Sequence, residues 1–344
     1  MKKRIVYFDT VKFIAISWIF FCHFLDSFAA DFPWPSFLYG ISGKAALAAL
    51  SVLLGYFAYL VGTNSQRSLV DLTVKRYLAF FMAGLSINLI CSICALVFKE
   101  ECPYRYLGIK AILQNSLCIG DGIFETFWCM KSFFFGSVIS YLNGKYKIDI
   151  IGIVLEIIVF ASLNVWIAIC IMGNVVFLIN SEEEKPSGWK AAIQRLINRP
   201  LVQCLLCVVV YFIIRRPESR LTYFIDGISS VLILLVISHN RFARSLLEFK
   251  PIAYFARYSE GVFLLHPVVY QIAGAKLIKL LLDRDVRFRA AFIVSFAVCY
   301  FATVLLSVWM VKGLDQMTNL SFNGYLKMKS VFFSRLKDRN TANF

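Results

Sequence analysis

The chain has 344 residues, 59% of them hydrophobic and only 17% charged, with a mean hydropathy of +0.71. A soluble domain of this size carries about a quarter charged residues, so a water-soluble enzyme or binding module is excluded and a polytopic helical membrane protein is expected. The net charge of +15 would suit a nucleic-acid partner in a soluble protein; in a membrane protein it reads as cytoplasmic loops rich in Lys and Arg, and no nucleic-acid partner is expected.

The N-terminus, Met-Lys-Lys-Arg before an apolar run, imitates a signal peptide. The run holds Lys12 and His23, however, and reads as a retained first helix. Ten spans are predicted along the chain, near 11–29, 43–62, 76–98, 120–142, 148–162, 164–180, 200–214, 221–238, 259–282 and 289–311. Residues 148–180 are one apolar run, split at Ser162-Leu163-Asn164 because a single helix of that length would be near 50 Å long. With the N-terminus inside, the loops assigned to the cytoplasm hold more than twice as many Lys and Arg as those outside. The expected fold is therefore all-α and polytopic, with both termini cytoplasmic: a membrane domain over 1–311 and a basic cytoplasmic tail over 312–344. The expected location is the cytoplasmic membrane.

The ten cysteines are scattered singly and mostly inside apolar runs. Cys91/Cys94 and Cys204/Cys207 have C-x-x-C spacing without a second pair nearby, so they read as small core residues and no metal site is expected.

Chemistry concentrates on the first helix. Lys12 and His23 are eleven residues apart, about three full turns, and so share one face; Asp9 and Asp26 fall on nearly the same stripe. The rise between Lys12 and His23 is about 16 Å, which puts Lys12 at a membrane edge and His23 near mid-depth. An ionisable side chain at that depth is costly and marks a functional-site candidate, against the alternative of a histidine that only bonds a neighbouring helix. Lys75 and Arg76 bring two more cations to the cytoplasmic edge, where the third span is expected to begin. Three cations there suit an anionic ligand entering from the cytoplasm, although the positive-inside bias alone would also place them.

The Lys12-x10-His23 spacing, preceded by Asp9, resembles the opening of the acyltransferase-3 family of integral membrane acyltransferases. The stretch Gly43 to Gly55-Tyr56-Phe57 looks like its second helix, Phe127-Trp128-Cys-Met-Lys131 like its central segment, and Tyr258-Ser259 to His266-Pro267 like its late segment. Leu54 stands where the family has serine, and Ala79 where a second arginine of the third helix would fall.

The resemblance implies acyl transfer, usually of acetyl from acetyl-CoA, onto a hydroxyl of a cell-surface polysaccharide or its lipid-linked precursor. Acetyl-CoA would be a substrate, with no tightly bound cofactor. Lys12, Lys75 and Arg76 would hold its phosphates. His23 would serve as general base or transient acyl acceptor, and Asp26 would orient it unless it is a loop-facing carboxylate. Asp121, Glu125, Trp128 and Tyr56 are candidate acceptor-binding residues, with interfacial anchoring or packing as the alternative for each. His266 reads chiefly as a support for the helix break at Pro267. A transporter or flippase for a polar or lipid-linked solute is the reading from another class.

Overall fold

A computed structural model describes residues 5–28, 43–65, 68–98, 108–117, 127–181, 188–203, 205 and 219–341. Every element among them is a helix: α1 (Val6–Phe28), α2 (Gly43–Asn64), α3 (Leu69–Phe98), α4 (Ile109–Ser116), α5 (Phe127–Tyr146), α6 (Ile150–Leu163), α7 (Val165–Asn180), α8 (Gly188–Ile197), α9 (Arg220–His239), α10 (Arg241–Leu247), α11 (Lys250–Ala256), α12 (Ser259–Leu282) and α13 (Phe288–Thr341). Among the described residues six stretches are long and apolar enough to cross a membrane: α1, α2, α3, α9, α12 and Phe288–Phe332 of α13. Helices α6 and α7 are shorter apolar helices. Most of the span expected at 200–214 lies outside the described residues, as does the start of the one expected at 120–142.

The break inside the long apolar run falls at the predicted place, and its cause is local. The Asn164 side chain caps α7 by accepting from the backbone N–H groups of Trp166 and Ile167. The Asn164 N–H also closes α6 by donating to the Phe160 carbonyl. Two helix starts differ from expectation. Helix α1 begins at Val6, so Asp9 lies inside its first turn, and α3 begins at Leu69, so Lys75 and Arg76 sit more than a turn inside it. Polar residues on a helix that enters an interface lower the local hydropathy without ending the helix, which is why an apolar window starts late.

The chain forms two compact units. The first comprises residues 1–66 and 126–308. Its centre is α2 packed on α5 and α7, with α6 against α7 and α9 against α7 and α2. Helices α2 and α7 touch backbone to backbone: a Cβ at Gly55 would collide with the Cys170 carbonyl, and one at Gly173 with the Val52 carbonyl. Beside this core, α1 packs on α2, α11 and α12. The C-terminal half of α1 buries Phe20, Phe24 and Leu25 against Tyr270 and Ile278 of α12 and Phe292 and Cys299 of α13. The Phe24 ring lies edge-on to Phe292 at 5.1 Å and to Phe296 at 5.5 Å.

The second unit comprises residues 67–125 and 309–344. Asn88 of α3 donates to Ser116 at the end of α4 (3.3 Å). Asp71, near the start of α3, accepts from Lys329 Nζ (2.6 Å) and the Tyr325 hydroxyl (3.0 Å) of α13. One turn along α3, the Lys75 ammonium sits 5.7 Å from the centre of the Phe322 ring. Asp71 and Lys75 thus meet a Phe322-Tyr325-Lys329 face in antiparallel order. The expected boundary at 311/312 falls within the unbroken helix α13.

Candidate active site

Helix α1 carries Lys12 and His23 on one continuous helix, so the eleven-residue spacing translates directly into a shared face. Lys12 Nζ lies 3.8 Å from Asp9, its i−3 neighbour. Between the two candidate positions, Ser17 donates to the Phe13 carbonyl and accepts from the Tyr300 hydroxyl at 2.7 Å, tying α1 to α13. His23 is half-buried in the C-terminal half of this helix.

The surroundings of His23 come from α12, where Pro267 is the organising residue. A proline inside a helix has no N–H for the carbonyl four residues back, here that of Phe263. In an apolar medium such a freed carbonyl needs another donor. His266 supplies it: its Nδ1 lies 2.7 Å from the Phe263 oxygen. Because a carbonyl only accepts, Nδ1 carries the proton, and in the neutral ring Nε2 is left as an acceptor. His266 is fully buried, and Nε2 has no hydrogen-bond partner among the described residues.

A π-helical turn, Tyr270–Gly274, follows within α12. It carries Tyr270 to His23, with the rings stacked at 10° and 6.5 Å between centres. The His23 and His266 ring centres are 5.5 Å apart at 39°. Phe20 and Phe263 approach His266 at 5.6 and 5.9 Å, and the Gln271 amide donates to the Tyr270 hydroxyl at 3.3 Å. The site is therefore an aromatic cage around two imidazoles. Sequence reasoning placed His266 at the helix break without seeing it beside His23. The signal available was the His-Pro pair itself, whose histidine is positioned to serve the carbonyl the proline frees.

The other predicted residues are distributed differently. Asp26 is exposed near the end of α1, one turn beyond His23. Tyr56 is buried with its ring against Phe8 (4.9 Å, edge-on) and Phe177 (5.6 Å). Phe8 is one turn from Lys12 and fifteen residues before His23, so Tyr56 lies about 22 Å along α1 from the imidazole. A ring enclosed there packs the core and offers no face to a sugar beside His23. Lys75 and Arg76 are half-buried on α3, in the second unit. Asp121 and Glu125 lie outside the described residues. Trp128 belongs to the first turn of α5, and its side chain lies outside the described residues.

A family model described as an acyltransferase domain matches residues 5–312. The chain belongs to the acyltransferase-3 family. Comparison with curated proteins and with solved structures gave no match. Family membership makes this a multi-pass membrane acyltransferase and decides between the two function classes in favour of group transfer. The acyltransferase-3 match takes in α1, with Lys12 and His23, and α12, with His266 and Pro267. It takes in Asp71 and Lys75 but stops before Phe322, Tyr325 and Lys329, which contact them.

Proposed function

We propose that the protein is a membrane O-acyltransferase that moves acetyl from acetyl-CoA to a hydroxyl of a cell-surface polysaccharide or its lipid-linked precursor. The observation that carries this reading is His23: a half-buried imidazole on an apolar helix, three turns from Lys12 and caged with His266 and Tyr270. The roughly 16 Å between Lys12 and His23 is of the order of a pantetheine arm. A donor whose phosphates rest at Lys12 brings its thioester to the imidazole; Lys75 and Arg76 are assigned to the donor from the sequence alone. Both termini are assigned to the cytoplasm from the Lys and Arg asymmetry, which puts these cations on the acetyl-CoA side of the cytoplasmic membrane.

His23 acts as general base on the acceptor hydroxyl. The hydroxyl oxygen bonds to the thioester carbonyl carbon as its proton passes to His23. The carbon–sulfur bond then breaks, and the coenzyme A thiolate leaves and takes up the proton. Asp121, Glu125 and Trp128 are assigned to the acceptor, and Asp26 to the outer rim of the site.

The test supplies acetyl-CoA, labelled in its acetyl group, to membranes carrying the protein and the host's own surface glycan. The reading expects alkali-labile label in the extracted glycan. Labelled acetyl that never leaves coenzyme A would overturn it.

A further inference from the structure

We infer that His266 is a positioning residue for His23: its Nε2 accepts the N–H of the His23 imidazole and thereby turns the opposite His23 nitrogen, bare, toward the acceptor hydroxyl. This rests on the proposal that His23 is the general base.

Three observations on separate atoms converge. Pro267 leaves the Phe263 carbonyl without a helical donor, and His266 Nδ1 fills the vacancy at 2.7 Å. That bond fixes both the orientation of the ring and its tautomer, so Nε2 must be an acceptor. Nε2 is fully buried and has no hydrogen-bond partner among the described residues. A buried acceptor left unserved is costly in apolar surroundings, so its retention calls for a partner that the site provides during its work. The rings around His266 narrow the choice. Phe20 and Phe263 have no polar hydrogen; the Tyr270 hydroxyl accepts from the Gln271 amide, and its ring centre is 6.2 Å from that of His266, farther than His23. The imidazole of His23, 5.5 Å away between ring centres, can present an N–H to Nε2 after a small rotation of its own ring.

The consequence for the reaction follows from imidazole chemistry. A neutral histidine has one N–H and one lone pair, and without a fixed partner the two exchange places. With His266 holding the N–H, the lone pair of His23 is the nitrogen offered to the acceptor. When that nitrogen takes the hydroxyl proton, the same His266 bond becomes a charge-assisted one and steadies the imidazolium until the proton passes to the departing thiolate. His266 ends each turnover unchanged. The overall balance stays one alcohol plus one acyl thioester giving one ester plus one thiol.

The experiment compares His266→Asn and His266→Gln with wild type and His23→Ala in full-length protein. Acetyl transfer from acetyl-CoA to the host glycan is measured per unit of folded protein in the membrane. Asparagine places an amide donor where Nδ1 stands and keeps the Phe263 bond, but has nothing at the Nε2 position. Glutamine places an amide at the Nε2 position, where its oxygen accepts from His23, and gives up the Phe263 bond. The expected result is a fall in kcat of about 10- to 100-fold for His266→Asn with little change in KM for acetyl-CoA, and a smaller fall for His266→Gln. Normal kcat in His266→Asn, or His266→Gln no better than His266→Asn, overturns the inference while a silent His23→Ala leaves the base assignment standing. Full activity in His23→Ala overturns both together.

Discussion

Nδ1 of His266 lies 2.7 Å from the Phe263 carbonyl oxygen, the acceptor that Pro267 leaves without its helical donor. One edge of the ring repairs the helix, and the other edge remains an acceptor in the cage that holds His23. Pro267→Ala separates the two roles, because alanine restores an N–H that competes for the same carbonyl. Losing the bond that orients the ring should lower specific activity about fivefold while the amount of folded protein is unchanged or raised. Activity assays on equal amounts of purified protein check this; unchanged activity would mean that the proline does not set the orientation of His266.

Gly55 and Cys170 bring α2 and α7 together with no room for a side chain between them. Gly55→Ala must push the two backbones apart, at a cost of about 1–3 kcal/mol or more. The expected outcome is a lower thermal midpoint in detergent and less protein in the membrane, with Gly173→Ala behaving alike. A variant as stable as wild type would contradict the close crossing.

Asp71 gathers the Tyr325 hydroxyl and the Lys329 ammonium from the C-terminal part of α13. Lys329→Ala and Asp71→Asn should each expose the helix beyond Lys329 to added protease sooner than in wild type. The double variant should be cut no faster than the worse single one, because both remove the same contact. Additive cleavage rates would show that the two residues act on different parts of the helix.

Lys12 and the donor phosphates give a kinetic prediction. Lys12→Ala should raise KM for acetyl-CoA about tenfold or more and change kcat less, and Lys12→Arg should recover most of the loss. Initial rates against acetyl-CoA concentration decide it. A pure kcat effect would move Lys12 from donor binding to the chemical step.

What was legible in the sequence has a physical reason in each case. The break between α6 and α7 could be read because Asn164 is a strong N-cap inside a run too long for one membrane crossing. The shared face of Lys12 and His23 could be read because helical geometry alone fixes it. The place of Tyr56 was not legible because an aromatic residue looks the same in a sequence whether it packs on Phe8 and Phe177 or stacks on a ligand. Helix α13 runs unbroken through Thr341 despite its charged end. The basic residues near its end are good helix formers, and Lys329 has a carboxylate to meet. His266 stands beside His23 only once α1 and α12 are packed, 243 positions apart in the chain, and no local pattern carries that distance.

The central claim is acyl transfer through His23, and the most direct measurement is proton NMR of the host's surface polysaccharide with wild-type protein and with His23→Ala at matched membrane expression. The account predicts O-acetyl signals with wild type and their loss with the variant, while the polymer itself is still made and exported. Acetylation that persists with His23→Ala, or a polymer that fails to reach the surface, would contradict it.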